Sequence, residues 1–131
     1  MHRGYMDGCD LALLVHTSGG EKETISLTPG SNGCVTKNIN FVGVSSHAGG
    51  APHMGVNALY AANLAMNAVN ALRETFQEKD MIRFHPIITK GGGAVNAIPN
   101  DVRMESYVRG SSLEAIIREN TKINRALRGI T

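Results

Sequence analysis

Two stretches of this 131-residue chain set reactive side chains among glycines. FVGVSSHAGGAPHMG, residues 41–55, carries His47 and His53, and KGGGAVNAIPN, residues 90–100, carries Asn96. Arg109 closes the alternating segment VRMESYVR that follows the second stretch. An imidazole, a carboxamide and a guanidinium together suit the binding of a carboxylate and the stabilisation of a developing oxyanion. They supply neither a nucleophile nor a carboxylate base to activate water. One histidine in a turn does not make a site, so the solvated alternative for His47 stands beside the functional one. His47 and His53 have no HxH, HExxH or paired acidic companions, and the close pair Glu21 and Glu23 lies in a loop. A closed metal site built within this chain is therefore not expected. KGGG shares only glycine content with a phosphate loop and lacks the following Lys-Ser/Thr.

These residues need a scaffold, and the apolar spacing supplies one. Leu11–Val15 is a short apolar run, readable as a buried strand that ends at His16. The loop HTSGGEKET and the turn-rich SLTPGSNG follow, and a boundary is expected there. From Val35 to Val44 the period is two, with Val35, Ile39, Phe41 and Gly43 on one face and Thr36, Asn38, Asn40 and Val42 on the other. Pro52 suits the start of a helix. Between Val56 and Phe76 the residues Ala58, Ala62, Ala65, Val69, Leu72 and Phe76 form a helical stripe, with Asn57, Asn63, Asn67 and Asn70 on the exposed side. Ile82, Phe84 and Ile88 alternate with Arg83, His85 and Thr89 in a second strand, and Pro86 within it places that strand at a sheet edge. Val102, Met104, Ser106 and Val108 oppose Arg103, Glu105, Tyr107 and Arg109 in a third strand. Ser111 with Glu114 reads as a capping box. It opens a second helix along Leu113, Ile116, Ile117, Asn120, Ile123 and Leu127.

Strand, helix, strand, strand, helix is the split βαβ, ferredoxin-like order without its last strand. The expected fold class is α+β, with an antiparallel sheet carrying both helices on one face. The last strand of such a sheet normally lies beside the first. Its edge is expected to be filled by residues 11–15, filled by a partner, or left open because the domain is truncated, the last being preferred. If the order holds, His47 and Asn96 meet at one end of the sheet, and Arg109 is expected to converge on them there.

Composition excludes several classes. Hydrophobic residues make up 42% and charged residues 18%, enough for a core and against wholesale disorder. A net charge of +2 and the absence of tryptophan speak against a nucleic-acid or anionic-membrane partner. No apolar run approaches the roughly 20 residues of a membrane span. Cys9 and Cys34 lie far apart without CxxC spacing, which fits reduced thiols and a cytoplasmic setting.

The strings GVSSHAGGAPHMGVNAL, RFHPIITKGGGAVNAIPND and YVRG resemble the lid, or dimerisation, domain of the clan MH metallopeptidases. This family includes aminoacylases, hippurate hydrolase and aminobenzoyl-glutamate hydrolase. The resemblance runs over roughly residues 5–131. It implies that residues 1–28 are a remnant of a metal-binding catalytic domain and residues 29–131 a lid. Full-length members carry two divalent metal ions (zinc, manganese or cobalt) and hydrolyse amide bonds of N-acyl amino acids or small peptides, through a metal-bridging water and a glutamate base. The histidine matching His47 is implied to reach the active site of a partner subunit in a homodimer and stabilise the oxyanion. Those matching Asn96 and Arg109 are implied to contact the substrate, and the one matching His16 to bind metal. The family's other ligands and its glutamate base have no counterpart here, so the chain alone is expected to be inactive. A non-catalytic dimerisation module and an amino-acid-binding sensor of similar fold remain the alternatives.

Overall fold

The computed structural model describes residues 3–17, 19, 25 and 30–129. The expected turns at 26–29 and the loop at 20–24 lie outside the described residues. The ordered elements are β1 (Gly33–Val42), α1 (Ala58–Leu72), β2 (Arg83–Phe84), β3 (Ile87–Lys90), β4 (Asp101–Gly110) and α2 (Leu113–Arg128). β4 is the central strand. β1 pairs along one side of it from Gly33↔Gly110 to Val42↔Asp101, and β2 and β3 share the other side, all antiparallel. The α+β, ferredoxin-like split βαβ arrangement is thus present, with strand order β1-β4-β2.

Period-two patterning decides which face is covered. Val102, Met104 and Val108 of β4 are wholly buried, as is Phe41 of β1, whereas Arg103, Glu105, Tyr107 and Arg109 are exposed. The buried set joins Ala58, Ala62, Ala65 and Val69 of α1 and Ile116, Ile123 and Leu127 of α2 in one core, so both helices lie on that face. Alanine at three of the four core positions of α1 favours the helix and keeps its axis close to the sheet. Each large core side chain such as Ile116 contributes about 1.5–3 kcal/mol of burial.

Several expectations change at this level. Leu11–Val15 is not a strand: it pairs with nothing in the sheet, and its leucines and valine are exposed. Five apolar residues without a ladder partner or a covering face have nothing to bury against. Among the described residues, the outer edge of β1 has no neighbouring strand. Pro52 opens a separate three-residue turn, and α1 begins later, capped by the Asn57 side chain, which accepts from the N–H groups of Leu59 and Tyr60. Asn57 is therefore a cap rather than part of the exposed amide face. Ser112, not Ser111, caps α2 by accepting from Ala115 N–H, while Ser111 Oγ donates to the Lys79 carbonyl. Pro86 sits at the edge as expected and splits its strand into β2 and β3.

The buried stripe of α2 runs through Ala115, Ile116, Glu119, Ile123 and Leu127; Leu113 and Ile117 are exposed. Glu119 is tolerated inside because Arg118 and Lys122 both pair with it, and Arg118 also reaches the buried Asp80. Burial acts to raise the Glu119 pKa, but hydrogen bonds from Lys122 and Arg118 outweigh it and hold the carboxyl below its ordinary value. No helix among the described residues is long and apolar enough to cross a membrane.

Candidate functional site

The rim where β1 leaves β4 is sewn together by the backbone. Gly43 N–H donates to the Asn100 carbonyl (2.8 Å), Val44 and Val56 exchange both of their hydrogen bonds, and Ile98 N–H donates to the Ser46 carbonyl (2.9 Å). His47 and Ala97 then form an isolated antiparallel bridge, and Ala48 N–H donates to the Asn96 carbonyl (2.9 Å). The pairing begun between β1 and β4 thus continues past the strand ends into the two glycine-rich loops. Gly43 is required for this: a Cβ there would sit 2.1 Å from the Val56 carbonyl oxygen.

Sequence reasoning brings His47 and Asn96 to one end of the sheet, and the structure places their segments side by side there. His47 is exposed. Its Nδ1 accepts from Gly50 N–H (2.8 Å) and Gly49 N–H (3.2 Å), and its carbonyl accepts from Ala51 N–H (3.0 Å). Ser46 Oγ donates to the Ala51 carbonyl, closing the turn. Beside the rim, Ser45, Lys90, Gly92, Ala97 and Ile98 line a shallow hollow. Asp101 at its base is bonded by Lys90 and Arg103, and these two donors, Lys90 first, hold its carboxyl below the usual range. The charges around the hollow therefore largely answer one another, with the His47 and Asn96 segments beside it.

Arg109 does not converge on this rim. It pairs with Cys34 at the start of β1 and with Arg83 of β2, at the far end of β4. Arg109 stands eight residues along β4 from Asp101, which at about 3.4 Å per residue is roughly 27 Å. The physical reason is simple: β4 starts at the loop carrying Asn96 and runs away from it. Arg83 directly opposite Arg109 doubles the positive charge at that end, a neighbour that alternation alone could not pair with it. His16 is exposed, as is His53, and no group of three His, Cys, Asp or Glu able to hold a metal ion occurs among the described residues. His16 alone does not make a metal site. The two glycine donors to His47 were also missed; the sequence shows glycines after the histidine, but not that their N–H groups turn back onto its ring.

Comparison with known proteins accounts for this combination of fold and loops. The family described as "Peptidase dimerisation domain" matches residues 30–130. The chain is 34% identical over 94 residues to carboxypeptidase G2 of Pseudomonas sp. (strain RS-16), covering 71% of this chain and 21% of that protein. It is 33% identical over 113 residues to the Xaa-Arg dipeptidase of Mus musculus, covering 86% of this chain and 25% of the relative. The crystal structure of an aminobenzoyl-glutamate utilization protein from Klebsiella pneumoniae superposes with a TM-score of 0.65 at 24% identity, over 74% of this chain and 24% of that one. The chain thus spans about a quarter of the length of these relatives. With a ferredoxin-like sheet, the seam between two glycine-rich loops and a family match over residues 30–130, the chain belongs to the dimerisation domains of the M20 peptidase and amidohydrolase family.

Proposed function

We propose that this chain is the lid of a metal-dependent hydrolase that cleaves amide bonds of N-acyl amino acids or small peptides, such as aminobenzoyl-glutamate-like substrates. The observation that carries this reading is the backbone seam joining the His47 and Asn96 segments on one rim. There His47 donates a hydrogen bond to the developing oxyanion, and Asn96 holds the substrate beside it. Residues 1–28 form a remnant of the catalytic domain and residues 29–131 the lid. His16 supplies one ligand toward the two divalent ions (zinc, manganese or cobalt), whose remaining ligands belong to other parts of a full-length protein. The chain's own contribution is binding and donation, and by itself it hydrolyses nothing.

Arg109 binds the substrate carboxylate. Because it lies roughly 27 Å from the rim, one copy of the chain cannot place His47 and Arg109 on the same small substrate. A homodimer resolves this: the rim of one copy and the Arg109 end of the other serve a single site. The Pro86-interrupted edge of β2 and β3, with the exposed Asn63, Asn67 and Asn70 of α1, forms the contact between copies. The free thiols of Cys9 and Cys34 suit a cytoplasmic setting. The reading is tested with His47→Ala in the full-length protein. Loss of one preorganised oxyanion donor lowers kcat by about 10²–10³ with little change in KM. An unchanged kcat would refute the role.

A further inference from the structure

We propose that the loop after His47 fixes the tautomer of its ring, with Gly49 and Gly50 as positioning residues that make His47 a dedicated Nε2–H donor. Nδ1 faces two backbone N–H groups, from Gly50 at 2.8 Å and Gly49 at 3.2 Å. A neutral imidazole carries one proton and one lone pair on its two nitrogens. Both glycine N–H groups need the lone pair on Nδ1, so the proton is on Nε2. The opposite tautomer would point Nδ1–H at two donors and forfeit both hydrogen bonds.

The rest of the loop holds these donors in place. Ala51 N–H bonds to the His47 carbonyl, Ser46 Oγ bonds back to Ala51, and the bridge to Ala97 anchors the histidine's own backbone. Glycine at 50 serves the contact directly. A Cβ there would lie 3.3 Å from Nδ1, tighter than ordinary contact, whereas one at 49 would meet Cε1 at a comfortable 3.6 Å.

The consequence is chemical. A ring locked in this tautomer offers a donor through Nε2 and no lone pair for a metal or for taking a proton. Using it as a ligand or base would first require both glycine bonds to break. This deepens the oxyanion role proposed above, but it can be judged apart from that role.

Nitrogen-15 NMR of the chain at about pH 8, above the ~6.5 of an unperturbed imidazole, reads the tautomer from long-range ring proton–nitrogen correlations. The expected pattern for His47 is a pyridine-type Nδ1 and a pyrrole-type Nε2, with a through-hydrogen-bond coupling from the Gly50 amide nitrogen to Nδ1. Gly49→Ala should keep that pattern, and Gly50→Ala should weaken or abolish the coupling and shift the ring toward a tautomer mixture. A wild-type His47 that is protonated at Nδ1, or already mixed, would overturn the proposal. Should Gly50→Ala fail to fold, the wild-type pattern and coupling decide alone. Addition of zinc should leave the His47 ring nitrogens unmoved, and a zinc-induced shift of Nε2 would count against the lock. The oxyanion role stands or falls on the separate kcat of His47→Ala, so failure of one is distinguishable from failure of the other.

Discussion

The two ends of β4 are held by different physics. At the end where the strand begins, two loops are joined by backbone hydrogen bonds, the ion pairs of Asp101 with Lys90 and Arg103 are partly exposed beside them, and the side chains of His47 and Asn96 take no part in the seam. At the end where it finishes, charged side chains supply the structure: Asp80, Arg118, Glu119 and Lys122 form a chain of ion pairs against the covered face, while Arg83 and Arg109 face outward. A rim built from main chain leaves its side chains free for chemistry. An end built from side-chain charge ties part of its polar inventory to stability.

That contrast yields expectations in order of size. Gly43→Ala should be the most damaging single change at the rim, since its Cβ would meet the Val56 carbonyl at 2.1 Å. A loss of about 3 kcal/mol in chemical denaturation is expected, and a loss near zero would mean the seam is not rigid. Glu119→Gln removes the charge from two ion pairs at the other end and should cost on the order of 2 kcal/mol. Asn57→Ala deletes the α1 cap and should cost about 1 kcal/mol. His47→Ala gives up the two glycine hydrogen bonds to its ring at an exposed site and should also cost about 1 kcal/mol, whereas Arg109→Ala, exposed, should change stability by less than about 0.5 kcal/mol.

Acid should separate the two ends as well. The Glu119 carboxyl sits below its ordinary value of 4.5 in the fold, so its contribution is fully present above that pH and is lost as pH falls through the folded value. Denaturation midpoints should therefore drop below about pH 4.5, and Glu119→Gln should flatten the drop. An equally steep acid loss in the variant would assign it to other carboxylates, such as Asp101.

Much of the fold was legible because period two and period 3.6 report on burial directly. The alternation along β4 survives residue by residue, and the alanines of α1 mark its covered face. Leu11–Val15 was misread because a short apolar run carries no information about whether a surface exists to cover it. Glu119 was missed because an ionised residue enters a core only with partners, and its partnership with Arg118 and Lys122 is visible only once the helix is docked. At the site, the meeting of His47 and Asn96 followed from topology. The separation of Arg109 followed from the same topology but required attention to strand direction: a residue after a strand and a residue before it lie at opposite ends.

The claim that most needs testing is that one substrate is held by the rim of one copy and the Arg109 end of another. Full-length His47→Ala and Arg109→Ala proteins, each nearly inactive, should be mixed one to one under conditions that exchange subunits. If the ends act across the dimer, every mixed dimer gains one intact site and about a quarter of wild-type activity returns. If His47 and Arg109 act within a single chain, no mixed dimer has an intact site and activity stays at the level of the separate variants, which would contradict the account.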